Sequence, residues 1–207
     1  MSITFLIIIM TCAISIPAFS KDQMKEDLLF WPYMIQGRNQ YYRFLTNGVL
    51  HADFMHLIFN MVSFYSFGTA LEEYLFKAVF GELSRALFAI LYVTAIAFAV
   101  LPDFIRYKHQ SFYRSLGASG AVSAVIFAAI TIQPKMPIQF FFIPFKIPGY
   151  IFGAAFLVLS ASLAKKGGGN IGHSAHFWGG VYGILFTYLT AKFIVGIDLL
   201  AYFINNF

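Results

Sequence analysis

Charge is scarce in this chain: 11% of its 207 residues are Asp, Glu, Lys or Arg, against 59% apolar residues and a mean hydropathy of +0.73. A soluble domain of this length needs far more polar surface, so that class is excluded and a membrane protein is indicated. Cysteine is nearly absent. The single Cys12 lies within an apolar run, which rules out a disulfide framework and a cysteine zinc site. No His-Glu-x-x-His element occurs and no carboxylate stands beside a histidine pair, so a zinc-protease arrangement of His51, His56, His173 and His176 lacks its base; the reading is no metal and no cofactor. No apolar segment carries an interior aspartate, Asp198 lying near the chain end, which argues against paired-aspartate chemistry. Basic runs are also missing. The net charge is +5, but Lys165-Lys166 is the longest cationic stretch, so anionic lipid headgroups rather than nucleic acid are the expected partner.

What is present is a series of apolar segments near the ~20 residues needed to cross a bilayer. They run Ile3 to Phe19, Phe54 to Leu71, Leu83 to Leu101, Leu116 to Ile132, Ile147 to Ala164 and Ala175 to Ile197. Six spans are expected in one domain covering 1–207, all-α and with no separate soluble part. No Lys or Arg precedes the first run, so it is expected to be a retained helix rather than a signal peptide. The connection Lys21 to Asp53 mixes aromatic and polar residues, the composition of a segment resting at the membrane interface. Pro134, Pro137, Pro144 and Pro148 prevent the stretch after the fourth segment from forming one helix. Gly167, Gly168 and Gly169 mark a flexible last loop.

The informative residues are polar groups that an apolar helix should avoid, since each one left unpaired in hydrocarbon costs several kcal/mol. They begin the second, fourth and sixth segments: His51, His56 and Asn60; Ser119; His173 and His176. If every segment crosses once, these three beginnings lie in one leaflet. His56 and Asn60 are four apart and share a helix face. Gly117, Ala121, Ala124 and Ala128 form one smooth strip, and Gly172, Gly179, Gly180 and Gly183 form another on the face of His176, so the two helices can approach closely. That contact brings Ser119 towards His176. A buried neutral imidazole can take the serine proton. The Ser119 backbone N–H, His56 and Asn60 can then serve a developing oxyanion. No acid flanks His176, so the pair is a dyad; Asp53 is the nearest candidate for a third member, and His173 is at most a minor contact.

In order, "YRFLTNGVLHADFMHLIFNM", "GTALE", "LGASGAVSA" and "AHFWGGVYG" resemble the rhomboid intramembrane serine proteases from about Tyr42 to Gly183. The resemblance implies a six-helix bundle with a water-filled cavity open to the extracytoplasmic side of a bacterial inner membrane. Ser119 would attack peptide bonds of other proteins' transmembrane segments, His176 would be base and then acid, and His56, Asn60 and Ser119 would form the oxyanion hole. It makes His51 and Arg43 structural, gives Glu72 the task of tying down the end of the second helix, and gives Gly117, Gly120, Gly179 and Gly183 supporting roles. It also makes the Gly-rich last loop a cap over the site.

Two departures from the family pattern stand out. Ser123 occupies the position four after the nucleophile, where some members stack an aromatic ring on the catalytic histidine. With the family orientation, outer segments hold nine of the 14 Lys and Arg and inner ones five, opposite to the positive-inside rule. The rival reading is a non-catalytic rhomboid-like factor that binds membrane proteins. A small transporter is disfavoured by the lack of inverted halves.

Overall fold

The computed structural model describes residues 1–139, 145–166 and 172–205, which are mostly helical. Helix α1 spans Ile3–Ala18, with the Ser2 hydroxyl accepting from the Phe5 N–H as its N-cap. Three short helices follow, α2 Asp22–Leu28, α3 Pro32–Arg38 and α4 Arg43–Thr46, and a 3₁₀ turn at Asn47–Val49. The expected interfacial connection is therefore folded rather than extended. Pro32 starts α3 where its missing N–H costs nothing, and Asn39 in the left-handed region (φ 55°) ends it.

Helix α5 runs Phe54–Ala70, passes through a π-turn at Leu71–Leu75 and α6 Phe76–Phe80, and reverses at Gly81 into α7, Ser84–Tyr107. Gly81 has φ 55°, which a side chain would strain. The two legs lie side by side, with Phe64 of α5 against Phe88 and Tyr92 of α7. The continuous run Phe54–Tyr107 is the described helical stretch long and apolar enough to cross a membrane, and α1 and Ser119–Ile132 are shorter apolar helices.

Helix α8, Ser119–Ile132, is the centre of the molecule. Every residue from Gly120 to Ile130 is buried, as a helix apolar on all sides requires. Its most extensive contact is with α10, His173–Ile194, and α5 and α7 also pack on it. A two-stranded hairpin, β1 Pro137–Ile138 with β2 Ile147–Pro148, then α9 Gly149–Lys166, fill the connection, and α11 Leu199–Asn205 closes the chain. Pro134, Pro137 and Pro148 lie outside helices, as expected, and Pro144 lies outside the described residues.

Two expectations need correction. Helix α7 extends past Leu101 to Tyr107, so it does carry an interior aspartate: Asp103 is 4% exposed. Gly117 precedes α8, with φ 134°, and is not part of its packing strip. The helix crossing is made by Gly120 and Ala124 of α8 against Gly179 and Gly183 of α10; a methyl at Gly179 would land on the Gly120 carbonyl, and one at Gly183 on the Ala124 carbonyl. The Gly167 to Gly169 loop lies outside the described residues.

Candidate active site

The N-terminal ends of α5, α8 and α10 converge. A methyl placed on Gly117 would lie 3.3 Å from His56 Nε2 and 3.6 Å from Ser119 Oγ, so imidazole and hydroxyl face one small gap. A methyl on Gly120 would meet the Ala175 carbonyl at 3.3 Å, which sets the residue before His176 against the residue after Ser119. Ser119, His56 and His176 are all half-buried. Among the described residues, no hydrogen bond joins the Ser119 hydroxyl to His176.

The segment entering Ser119 is pinned from several sides. Ser115 exchanges both backbone hydrogen bonds with Phe30, at 2.9 and 3.0 Å, and the Gly117 N–H donates to the Asn47 carbonyl at 3.0 Å. The Ala118 N–H donates to His51 Nε2 at 3.5 Å. The Ser15 hydroxyl donates to the Val49 carbonyl at 2.7 Å, so His51 Nδ1, 2.9 Å from that hydroxyl, carries the ring proton and leaves Nε2 as the acceptor. His51 is fully buried, and burial first, then the neighbouring His56, push its pKa down to about 3 against the opposing pull of Asp53. It is neutral and works as a strut.

No side chain caps α8. Among the described residues the N–H groups of its first turn take no partner, so the helix start beside Ser119 Oγ is a natural seat for negative charge. His56 Nδ1 accepts from the Ala52 N–H at 3.4 Å, which puts the ring proton on Nε2, the nitrogen facing the gap. Asn60 donates one amide hydrogen to the His56 carbonyl at 2.9 Å and keeps the other. Asp53, the nearest candidate for a third member, caps α5, accepting from the His56 N–H at 2.8 Å.

The supporting residues sit around this core. Arg43, 3% exposed, donates to the Gln40 side chain and the Glu26 and Leu29 carbonyls, tying α4 to α2. Arg114 pairs with Glu26 at 2.7 Å and lies 4.0 Å over the Trp31 ring, and the Trp31 indole donates to the Ser111 carbonyl. These contacts fasten α2 and α3 to the segment that leads into Ser119. Glu72 holds the start of α1, accepting from the Ile3 N–H at 2.7 Å and from the Thr4 N–H and hydroxyl at 2.8 Å each. The exposed His109 lies elsewhere on the surface.

Two residues near the site are not marked by the sequence pattern. Phe156 of α9 lies 6.0 Å from the His176 ring at 30°, supplying an aromatic neighbour that Ser123 cannot. Among 26 phenylalanines nothing in the sequence singles it out. Asp103 is the other; a helix reading carried six residues beyond Leu101 would have found it. His173 stands edge-on to His176 at 5.9 Å. The described residues contain no cluster of His, Cys, Asp or Glu able to hold a metal.

Comparison with known proteins converges on one family. The Rhomboid domain model matches residues 38–193. The chain is 30% identical over 146 residues to RHOMBOID-like protein 12, mitochondrial, of Arabidopsis thaliana, covering 65% of this chain and 42% of that protein. It is 28% identical over 154 residues to Rhomboid protein 1, mitochondrial, of Saccharomyces cerevisiae, covering 69% and 40%. Rhomboid-like protein 15 of Arabidopsis thaliana is 27% identical over 113 residues, covering 53% and 27%. The chain thus spans less than half the length of these relatives. Two of the three are named as mitochondrial, so the expected bacterial inner membrane finds no support here.

Proposed function

The chain belongs to the rhomboid family, and from that premise we propose that it is a membrane-embedded serine endopeptidase acting on transmembrane segments of other proteins. In this reading α1, α5, α7, α8, α9 and α10 cross the bilayer, and the site lies at one end of α5, α8 and α10. One observation carries the proposal: Ser119 Oγ and His56 Nε2 face the same gap at an uncapped helix N-terminus, with the turn bearing His176 pressed onto Gly120.

Ser119 Oγ attacks the scissile carbonyl carbon while His176 takes its proton. Negative charge gathers on the carbonyl oxygen, where the first N–H groups of α8, His56 Nε2–H and the free Asn60 amide hydrogen donate to it. As the C–N bond breaks, His176 returns the proton to the leaving amine. Water, deprotonated by the same histidine, then attacks the acyl-serine; the acyl C–Oγ bond breaks, His176 returns the proton to Ser119 Oγ, and the second product leaves. Only this chain's own side chains, its backbone N–H groups and water are used.

The rival reading, a non-catalytic rhomboid-like factor that binds membrane proteins, is favoured by one observation, the missing hydrogen bond between Ser119 and His176. Catalytic hydrogen bonds are often loose before substrate binds, so the hydrolase remains the better reading. The test is cleavage of a transmembrane substrate by protein reconstituted in lipid, with chelator present. Cleavage lost in Ser119→Ala supports the proposal, whereas equal cleavage by both proteins, or binding of substrate with no cleavage by either, supports the rival.

A further inference from the structure

One buried carboxyl takes no part in the chemistry above. Asp103 lies in the last turns of α7, directly after Pro102, and is 4% exposed. The Tyr113 hydroxyl donates to its Oδ2 at 2.7 Å, and Ser174 of α10 stands beside the same carboxyl. These donors come from different places. Tyr113 belongs to the segment that leads into Ser119; Ser174 is in the first turn of α10, two residues before His176.

Both neighbours sit against α7. The Tyr113 ring stacks on Tyr107 at 3.9 Å and 9°. Burial, then the charge of Asp103, hold the Tyr113 phenol above its usual range, so it stays a donor. One turn back along α7, Ala99 meets the other two helices: a methyl on Gly120 would lie 2.6 Å from the Ala99 methyl and 3.3 Å from the Ala175 carbonyl. Val100, Phe104, Tyr113 and Ala175 share one apolar cluster. Arg106, on the same helix, supplies the nearby positive charge. A buried acceptor deprived of its donors is costly, so the carboxyl draws both segments towards itself.

We propose that Asp103 is a positioning residue that locks the segment entering Ser119 to the helical turn carrying His176, and so fixes the separation of the two. Its effect on rate rests on the hydrolase reading; its effect on geometry does not. A misplacement of about 1 Å costs on the order of 100-fold in rate, which a lock at this point would prevent.

The test uses the full chain in lipid, with Asp103→Ala, Asp103→Asn, Tyr113→Phe and Ser174→Ala, reading kcat and KM on a transmembrane substrate and backbone hydrogen exchange at 113–120 and 173–179. The expected result is a fall in kcat with unchanged KM, by ~10- to 100-fold for Asp103→Ala. Adding both donor substitutions to Asp103→Ala should cost nothing further, since all act through one node. Asp103→Asn, which keeps a carbonyl acceptor, should recover most of the rate, and exchange should rise in both segments together in Asp103→Ala. Unchanged kcat in folded Asp103→Ala, additive losses, or exchange rising in one segment alone overturns the lock. If Asp103→Ala does not accumulate folded, Tyr113→Phe and Ser174→Ala carry the test, each removing one hydroxyl. A wild type inert towards the substrate sinks the hydrolase reading instead, and the exchange measurement then decides the lock by itself.

Discussion

His51 Nε2 accepts the N–H of Ala118, the residue immediately before Ser119, at 3.5 Å, while Nδ1 is held by Ser15 of α1 at 2.9 Å. The first helix of the chain thereby props the backbone that presents the serine hydroxyl. The Ala118 bond requires a neutral ring, because a proton on Nε2 would turn the acceptor into a donor facing another N–H.

Acid should therefore loosen the protein. Burial lowers the His51 pKa from 6.5 to about 3 in the fold, so the unfolded chain takes up the proton first as pH falls. The contribution of this group is fully present above 6.5 and is lost progressively between there and about 3. Thermal unfolding in detergent at pH 7.5, 6 and 4.5 should show falling midpoints. His51→Asn should be less stable at neutral pH and show a shallower decline; an equal slope in both proteins would place the acid sensitivity elsewhere.

Gly117→Ala should abolish activity with the chain still folded. At φ 134° any side chain is strained, and the new methyl would sit 3.1 Å from His56 Cε1, between the imidazole and the serine. A loss of ~100-fold or more in kcat is expected from blocking the donor and the attack path together. Steady-state cleavage by the variant within a few-fold of wild type would mean that the gap is not where substrate binds.

Two glycines of similar appearance should respond in opposite directions. Gly179→Ala drives a methyl onto the Gly120 carbonyl and must part α8 from α10, an overpacking cost of about 1–3 kcal/mol or more. Gly37→Ala, in α3 with open space around it, should stabilise by about 0.5–1 kcal/mol through lost chain entropy. Equilibrium unfolding of the two variants beside wild type measures both signs.

Glu72→Ala leaves the Ile3 N–H and the Thr4 N–H and hydroxyl without their acceptor. Buried donors left unpaired cost about 1–3 kcal/mol each. The start of α1 should fray, with faster hydrogen exchange at residues 3–6 and a lower unfolding midpoint. Exchange there equal to wild type would show that Glu72 does not hold α1.

Much of this arrangement was legible in the sequence, because membrane helices make polar residues conspicuous. His51, His56, Asn60, Ser119 and His176 stood out as groups that hydrocarbon would reject, and their positions at helix starts put them at one end of the bundle. The small residues that let α8 meet α10 were also readable, though Gly117 was assigned to the wrong surface because the helix start could not be fixed within two residues. Asp103 was missed for a related reason: α7 runs on beyond its apolar stretch. Phe156 and the Tyr113 and Ser174 donors were beyond reach, since their partners are set by how separate helices pack and not by any local spacing. The direction of the Asn60 amide, towards its own helix, is likewise a matter of rotamer choice that residue type does not fix.

The most direct measurement is labelling of the purified, lipid-reconstituted chain with a fluorophosphonate, with the modified residue located by mass spectrometry, for wild type, Ser119→Ala and His176→Ala. The account predicts a single adduct on Ser119 in the wild type, none in Ser119→Ala, and strongly slowed labelling in His176→Ala, all unaffected by a metal chelator. Labelling at another residue, or equal labelling of wild type and His176→Ala, would contradict it and leave Ser119 as a small residue at a helix crossing.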